Sequence, residues 1–176
     1  MPVLFVGHGN PMNAIQDTVF STVWDALGFR LPRPKAILCV SAHWLTPGET
    51  RVSVTAQPKT IHDFSGFPLP LFDQQYPAPG APGIARQVLD MVDARRIIAD
   101  FEWGLDHGSW CVLGRLLPAA DIPVFQLSLD YRLAPRNHYQ MARQLKPLRK
   151  LGVLIMGSGN IVHNLRAMRS DAPPYD

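Results

Sequence analysis

Of the six histidines in this sequence, three close runs of apolar, strand-forming residues. His8 follows residues 3–6 and has a glycine on either side, His43 follows residues 36–40, and His163 follows residues 153–156 and a Gly157-Ser158-Gly159 turn. A neutral imidazole is the commonest protein ligand for a metal, and its charge changes close to neutral pH. Three converging imidazoles are therefore read as a metal set first and as acid/base groups second. His62 and His107 each stand beside a carboxylate and aromatic residues, Asp63 with Phe64 and Asp106 with Trp103 and Trp110. For these two, an imidazole that only supports a turn is an equally good reading, because neighbours in an extended chain point opposite ways. His138 falls in the first turn of an expected surface helix and is assigned to solvent.

Other chemistries find less support. Gly157-Ser158-Gly159-Asn160 looks like a phosphate-cradling loop, but it has neither GxGxxG nor P-loop spacing and no lysine follows it. There is no G-x-S-x-G nucleophile elbow, so Ser41 and Ser158 are read as turn residues. Cys39 and Cys111 are too few for a disulfide framework, and Cys39, inside an apolar run, packs as a small hydrophobe.

Strand-end histidines can meet only if the strands end on one edge, as they do in a mostly parallel sheet. The expected fold is therefore α/β, with a mostly parallel central sheet flanked by helices and the metal site at the C-terminal ends of the strands. Residues 3–6, 35–40, 51–55, 97–101, 122–129 and 153–156 read as strands, and the unbroken apolar run after Lys35 is that of a strand covered on both faces. Asp17 or Thr18 can cap a first helix with Val19, Phe20, Val23, Trp24 and Leu27 at helical spacing, ended by Gly28 and the prolines at 32 and 34. Pro82 and Gly83 open a second helix, residues 112–117 form a short third, and Pro135 opens a fourth carrying Tyr139, Ala142, Leu145 and Leu148. The proline-rich stretch between residues 60 and 82 is a long ordered loop wrapping a site. A strand, a helix and a strand in succession make a βαβ unit, which puts His8 and His43 at neighbouring strand ends.

Composition bounds the remaining classes. At 176 residues with 47% hydrophobic content the chain is one domain with a sizeable core. A net charge of +3 spread over scattered basic residues argues against nucleic acid as a partner, since binding phosphate needs a clustered basic face. No charged-then-apolar leader follows Met1, and no apolar run approaches the ~18 residues of a membrane span, so a cytoplasmic protein without membrane contact is expected.

Five segments taken in order resemble the class III extradiol ring-cleaving dioxygenases, and within them the DOPA 4,5-dioxygenase branch. They are Gly7-His8-Gly9-Asn10-Pro11-Met12, Ser41-Ala42-His43-Trp44, Thr60-Ile61-His62-Asp63-Phe64, Gly104-Leu105-Asp106-His107-Gly108-Ser109-Trp110 and Gly157-Ser158-Gly159-Asn160-Ile161-Val162-His163-Asn164-Leu165. The resemblance implies a non-haem metal enzyme that inserts O2 beside the two hydroxyls of a small, DOPA-like catechol and opens the ring. It implies His8 and His43 as metal ligands, His163 as a further ligand or as the acid/base group, and His107 and His62 as lining the substrate pocket. His107 is the second choice for the acid/base role. Fe(II) is the implied metal for activity, because it can mediate between O2 and a bidentate catecholate when the protein supplies three ligands on one face. Zn(II) is the alternative occupant, and with no redox couple it could not run this step.

Members of that branch continue beyond the Asn164-Leu165-Arg166 segment to a later histidine that supplies another ligand. Residues 1–176 are accordingly expected to form a single, C-terminally incomplete catalytic domain, with a homo-oligomer among the expected assemblies. Two further readings compete: a zinc hydrolase using a metal-bound water, and a truncated metal-binding remnant without catalysis. Trp44, Phe64, Phe67, Trp103 and Trp110 either form a ring-shaped slot or pack in the core.

Overall fold

The computed structural model describes residues 1–92 and 97–160. In chain order the elements are β1 (Val3–Gly7), a 3-10 turn (Pro11–Ala14), α1 (Val19–Arg30), β2 (Ala36–Ser41), β3 (Leu45–Thr46), β4 (Thr50–Ser53), α2 (Leu69–Phe72) and α3 (Pro82–Met91). They continue with β5 (Ile97–Asp100), α4 (His107–Leu116), β6 (Val124–Gln126), β7 (Leu129–Asp130), α5 (Pro135–Gln144), α6 (Lys146–Lys150) and β8 (Val153–Gly159). The central sheet has the order β1-β8-β2-β6 with every pair parallel, and two small parallel pairs, β3-β7 and β4-β5, lie beyond it.

Burial follows from this layering. Residues 36–39 of β2 are fully buried, because alternate side chains enter two different cores. Ile37 and Cys39 join Val6, Leu154 and Met156 on the face covered by α4 and α1. Leu38 joins Val153 and Phe125 on the face covered by Ala85 and Val88 of α3 and by Leu145 and Leu148. Among the described residues no helix is long and apolar enough to cross a membrane.

Several expectations change. His8 and His43 do not follow neighbouring strands, since β8 inserts between β1 and β2 and pairs with both. Thr18 caps α1 in a reciprocal pair with Ser21, but Val19, Phe20 and Val23 are more than half exposed while Ser21 and Trp24 are buried. Gly28 does not end that helix. A Cβ on it would lie 2.0 Å from the Leu116 carbonyl oxygen, so the missing side chain lets α1 cross close over the end of α4. The strand expected over residues 122–129 splits into β6 and β7, which belong to different sheets. The helix opened by Pro135 breaks at Leu145, where Pro147 cannot supply the next N–H, and Tyr139 points outward.

Candidate metal centre

Three elements each deliver one imidazole to the C-terminal edge of the sheet. His8 is the first residue after β1 and is 2% exposed. His43 stands just after β2, held by its N–H donating to Ser41 Oγ at 3.2 Å. His107 opens α4, whose N-cap Asp106 accepts from the Ser109 N–H. One ring nitrogen from each lies within 4.8 Å of the others, and His8 Nε2 and His43 Nε2 are 3.0 Å apart. Ring centroids are 3.8 Å apart for His43 and His107 and 5.5 Å for His8 and His107.

Two nitrogens this close either share one proton or turn two lone pairs on one cation. Nitrogens ~2.1 Å from a metal and at right angles about it lie ~3.0 Å apart, so the His8–His43 pair fits an imidazole-binding divalent cation.

Asp63 organises two of the three rings from the long loop. Its Oδ1 accepts from both the backbone N–H and the Nδ1–H of His107, each at 2.9 Å, and its Oδ2 lies 3.6 Å from His43 Nδ1. Burial by itself would raise this carboxyl, but the hydrogen bonds and charge of His107 outweigh it and hold Asp63 below the usual carboxylate range. An ionised carboxylate only accepts, so His107 carries a proton on Nδ1, and in the neutral form of the ring the lone pair is on Nε2.

Beneath the rings lies a buried polar network. The Asp106 carboxylate accepts from Gln126 Nε2 at 2.8 Å and from the Ser41 hydroxyl, and Ser109 Oγ donates to Gln126 Oε1 at 2.7 Å. Burial pushes the Asp106 carboxyl above its ordinary range, with those hydrogen bonds opposing the shift.

His62 does not join the three imidazoles. Its Nε2 donates to the Gln74 carbonyl at 3.0 Å, and its ring packs 5.4 Å from Trp110, 5.8 Å from Phe64 and 6.0 Å from Phe72. Phe64 also meets His107 edge-on at 5.5 Å and Phe67 at 5.3 Å, so His62, Phe64, Phe67, Phe72 and Trp110 make one aromatic wall beside His107. Trp44 and Trp103 form a stacked pair 5.1 Å apart. His163 lies outside the described residues. His138 is half-buried with Nε2 donating to the Asp130 carbonyl, so it is tied to the backbone and not given over to solvent.

Sequence reading missed Asp63, Ser41, Asp106 and Ser158 as partners of the site. Only Asp106 carried a usable local signal, an Asp three residues before a Ser at a helix start.

An α/β fold in which two strand ends and one helix start bring three imidazoles together defines a protein with a candidate divalent-metal centre. Residues 9–174 match the family described as the catalytic LigB subunit of aromatic ring-opening dioxygenase, and the chain belongs to that family. It is 48% identical over 178 residues to a 4,5-DOPA dioxygenase extradiol of Escherichia coli K12, covering 99% of this chain and 65% of that protein. A 4,5-DOPA dioxygenase extradiol of Beta vulgaris is 42% identical over 166 residues, covering 90% of this chain and 61% of that protein. A crystal structure of an uncharacterized Escherichia coli K12 protein superposes with a TM-score of 0.81 at 41% identity, over 98% of this chain and 65% of that one. The chain thus spans less than two thirds of the length of these relatives.

Proposed function

We propose that this chain binds Fe(II) through His8 and His43 and uses it with O2 to open the ring of a small, DOPA-like catechol in the extradiol manner. The 3.0 Å approach of two Nε2 atoms from different strand ends carries this reading. Membership of a ring-opening dioxygenase family supports the reaction type. Iron, when bound, supplies the redox couple that lets triplet O2 react with a closed-shell catechol.

The chain's own residues supply the rest. His107, protonated at Nδ1 by its bond to Asp63, presents a basic Nε2 that takes a catechol hydroxyl proton, and the Asp63 carboxylate stabilises the resulting imidazolium. Phe64, half-buried and edge-on to His107, offers an apolar face for an aromatic ring, and the buried Trp110 and the His62 ring pack against it. His163 retains its proposed role as a further ligand or as the acid/base group, with His107 the second choice for the latter. The two free, buried cysteines, Cys39 and Cys111, fit a reducing, cytoplasmic setting.

A second reading, with His107 as the third ligand, is favoured by the 4.8 Å clustering of the three ring nitrogens. Anaerobic loading with Fe(II), then addition of a catechol and air, tests the activity. A yellow ring-opened product is expected; iron bound one-to-one without product would leave only the metal-binding remnant, and hydrolytic turnover with zinc would favour the hydrolase. In the same assay His107→Ala is expected to keep its iron and lose turnover, whereas loss of iron would make His107 a ligand.

A further inference from the structure

Ser158 sits where three parts of the candidate centre meet. It lies near the end of β8, 2% exposed, paired across the sheet with Val6 on one side and Ser41 on the other. Its Oγ is 3.0 Å from His8 Nδ1 and also makes a short hydrogen bond with the Gly108 carbonyl oxygen in the first turn of α4.

The second contact decides the first. A carbonyl oxygen has no proton to give, so the Ser158 hydroxyl donates its single proton to Gly108 and has only lone pairs left for His8. His8 Nδ1 must then be the donor. A neutral imidazole protonated at Nδ1 carries its lone pair on Nε2, the atom that faces His43 Nε2.

We propose that Ser158 is a positioning residue that holds His8 as the Nδ1–H tautomer, aims its Nε2 lone pair at the cation site, and ties that ring to the helix carrying His107. Asp63 imposes the same tautomer on His107 with a charge, while Ser158 imposes it on His8 without one. The centre therefore gains two oriented imidazoles for one added negative charge, leaving more of the cation's charge for an anionic ligand. The tautomer is independent of the proposed function, while its effect on metal affinity rests on the metal-binding part of that reading.

Two measurements separate these. In metal-free protein with 15N-labelled histidine, ring correlation spectra are expected to show His8 protonated at Nδ1 and bare at Nε2. A wild-type protein with His8 protonated at Nε2 overturns the inference whether or not any metal binds. Titration with zinc(II) alone against a competing chelator is expected to show Ser158→Ala binding about ten- to a hundredfold more weakly than wild type. Ser158→Thr, which keeps the hydroxyl on a β-branched residue suited to a strand, is expected to restore most of that affinity. Equal zinc affinity in wild type and Ser158→Ala overturns the positioning role. A wild type that binds no zinc overturns the metal reading and the positioning role together, and leaves the tautomer to the spectra.

Discussion

Gly108 shows how little room the centre leaves. A Cβ there would stand 2.5 Å from Ser41 Oγ, 3.0 Å from His43 Cδ2 and 3.2 Å from Asp106 Oδ1, so one methyl group would press on a candidate ligand and on the network beneath it. Gly108→Ala is expected to cost about 1–3 kcal/mol of stability, the usual penalty for overfilling a packed site, and to weaken metal binding at the same time. Denaturant unfolding and chelator competition check the two effects. Unchanged metal affinity would mean that the crowding is relieved away from His43. At this scale the sequence was partly legible. His8 and His43 stand out because each closes a run of apolar, strand-forming residues, where an imidazole has few structural reasons to be, although β1 proves to be a largely exposed edge strand. Asp63 does not stand out, because the ring it holds is 44 residues away and the adjacent His62 turns instead to the Gln74 carbonyl.

The elements that carry the site differ in how they announce themselves. α4 is buried almost throughout from His107 to Leu113, so its apolar residues show no stripe, and only its second half reads as a helix in the sequence. α1 has a stripe at helical spacing, yet the close crossing at Gly28 turns Ser21 and Trp24 inward and leaves Val19, Phe20 and Val23 outside. The turn after β5 is set by a polar device instead. Asp100 Oδ1 accepts from the N–H groups of Glu102 and Trp103 at 3.0 and 2.7 Å, and its Oδ2 pairs with Arg51 of β4 at 3.2 Å. Burial alone would raise this carboxyl, but those hydrogen bonds and Arg51 hold it below its ordinary value. A carboxyl lowered on folding adds stability above its unfolded pKa, about 3.9, and loses that contribution as pH falls through its folded value. Asp100→Asn is therefore expected to be less stable than wild type at pH 7, with the gap closing below pH ~4. Paired denaturation curves at the two pH values decide it, and a gap that persists in acid would assign the effect to shape and not to charge.

Across the whole molecule, the candidate centre draws His8, His43, Asp63, His107 and Ser158 from just after β1, just after β2, the long loop, α4 and β8, so it is assembled only by the tertiary fold. The parallel sheet was legible, because repeated apolar runs separated by helices leave few alternatives. Its strand order was not, because nothing in the run at 153–156 says that it enters between the first two strands. Convergence of this kind couples metal binding to folding, since the unfolded chain scatters the same imidazoles and offers no site of equal affinity. A cation at a hundred times its dissociation constant is then expected to add about 2.7 kcal/mol to the unfolding free energy, seen as a concentration-dependent rise in Tm. His43→Ala should abolish both the rise and one-to-one metal binding, because it removes the nitrogen 3.0 Å from His8 Nε2. His138→Ala breaks a hydrogen bond to the Asp130 carbonyl away from the three clustered imidazoles, so it should lower the baseline Tm slightly and keep the full metal-dependent increment. An increment that survives His43→Ala would place the stabilising cation elsewhere and detach the three-imidazole cluster from metal binding.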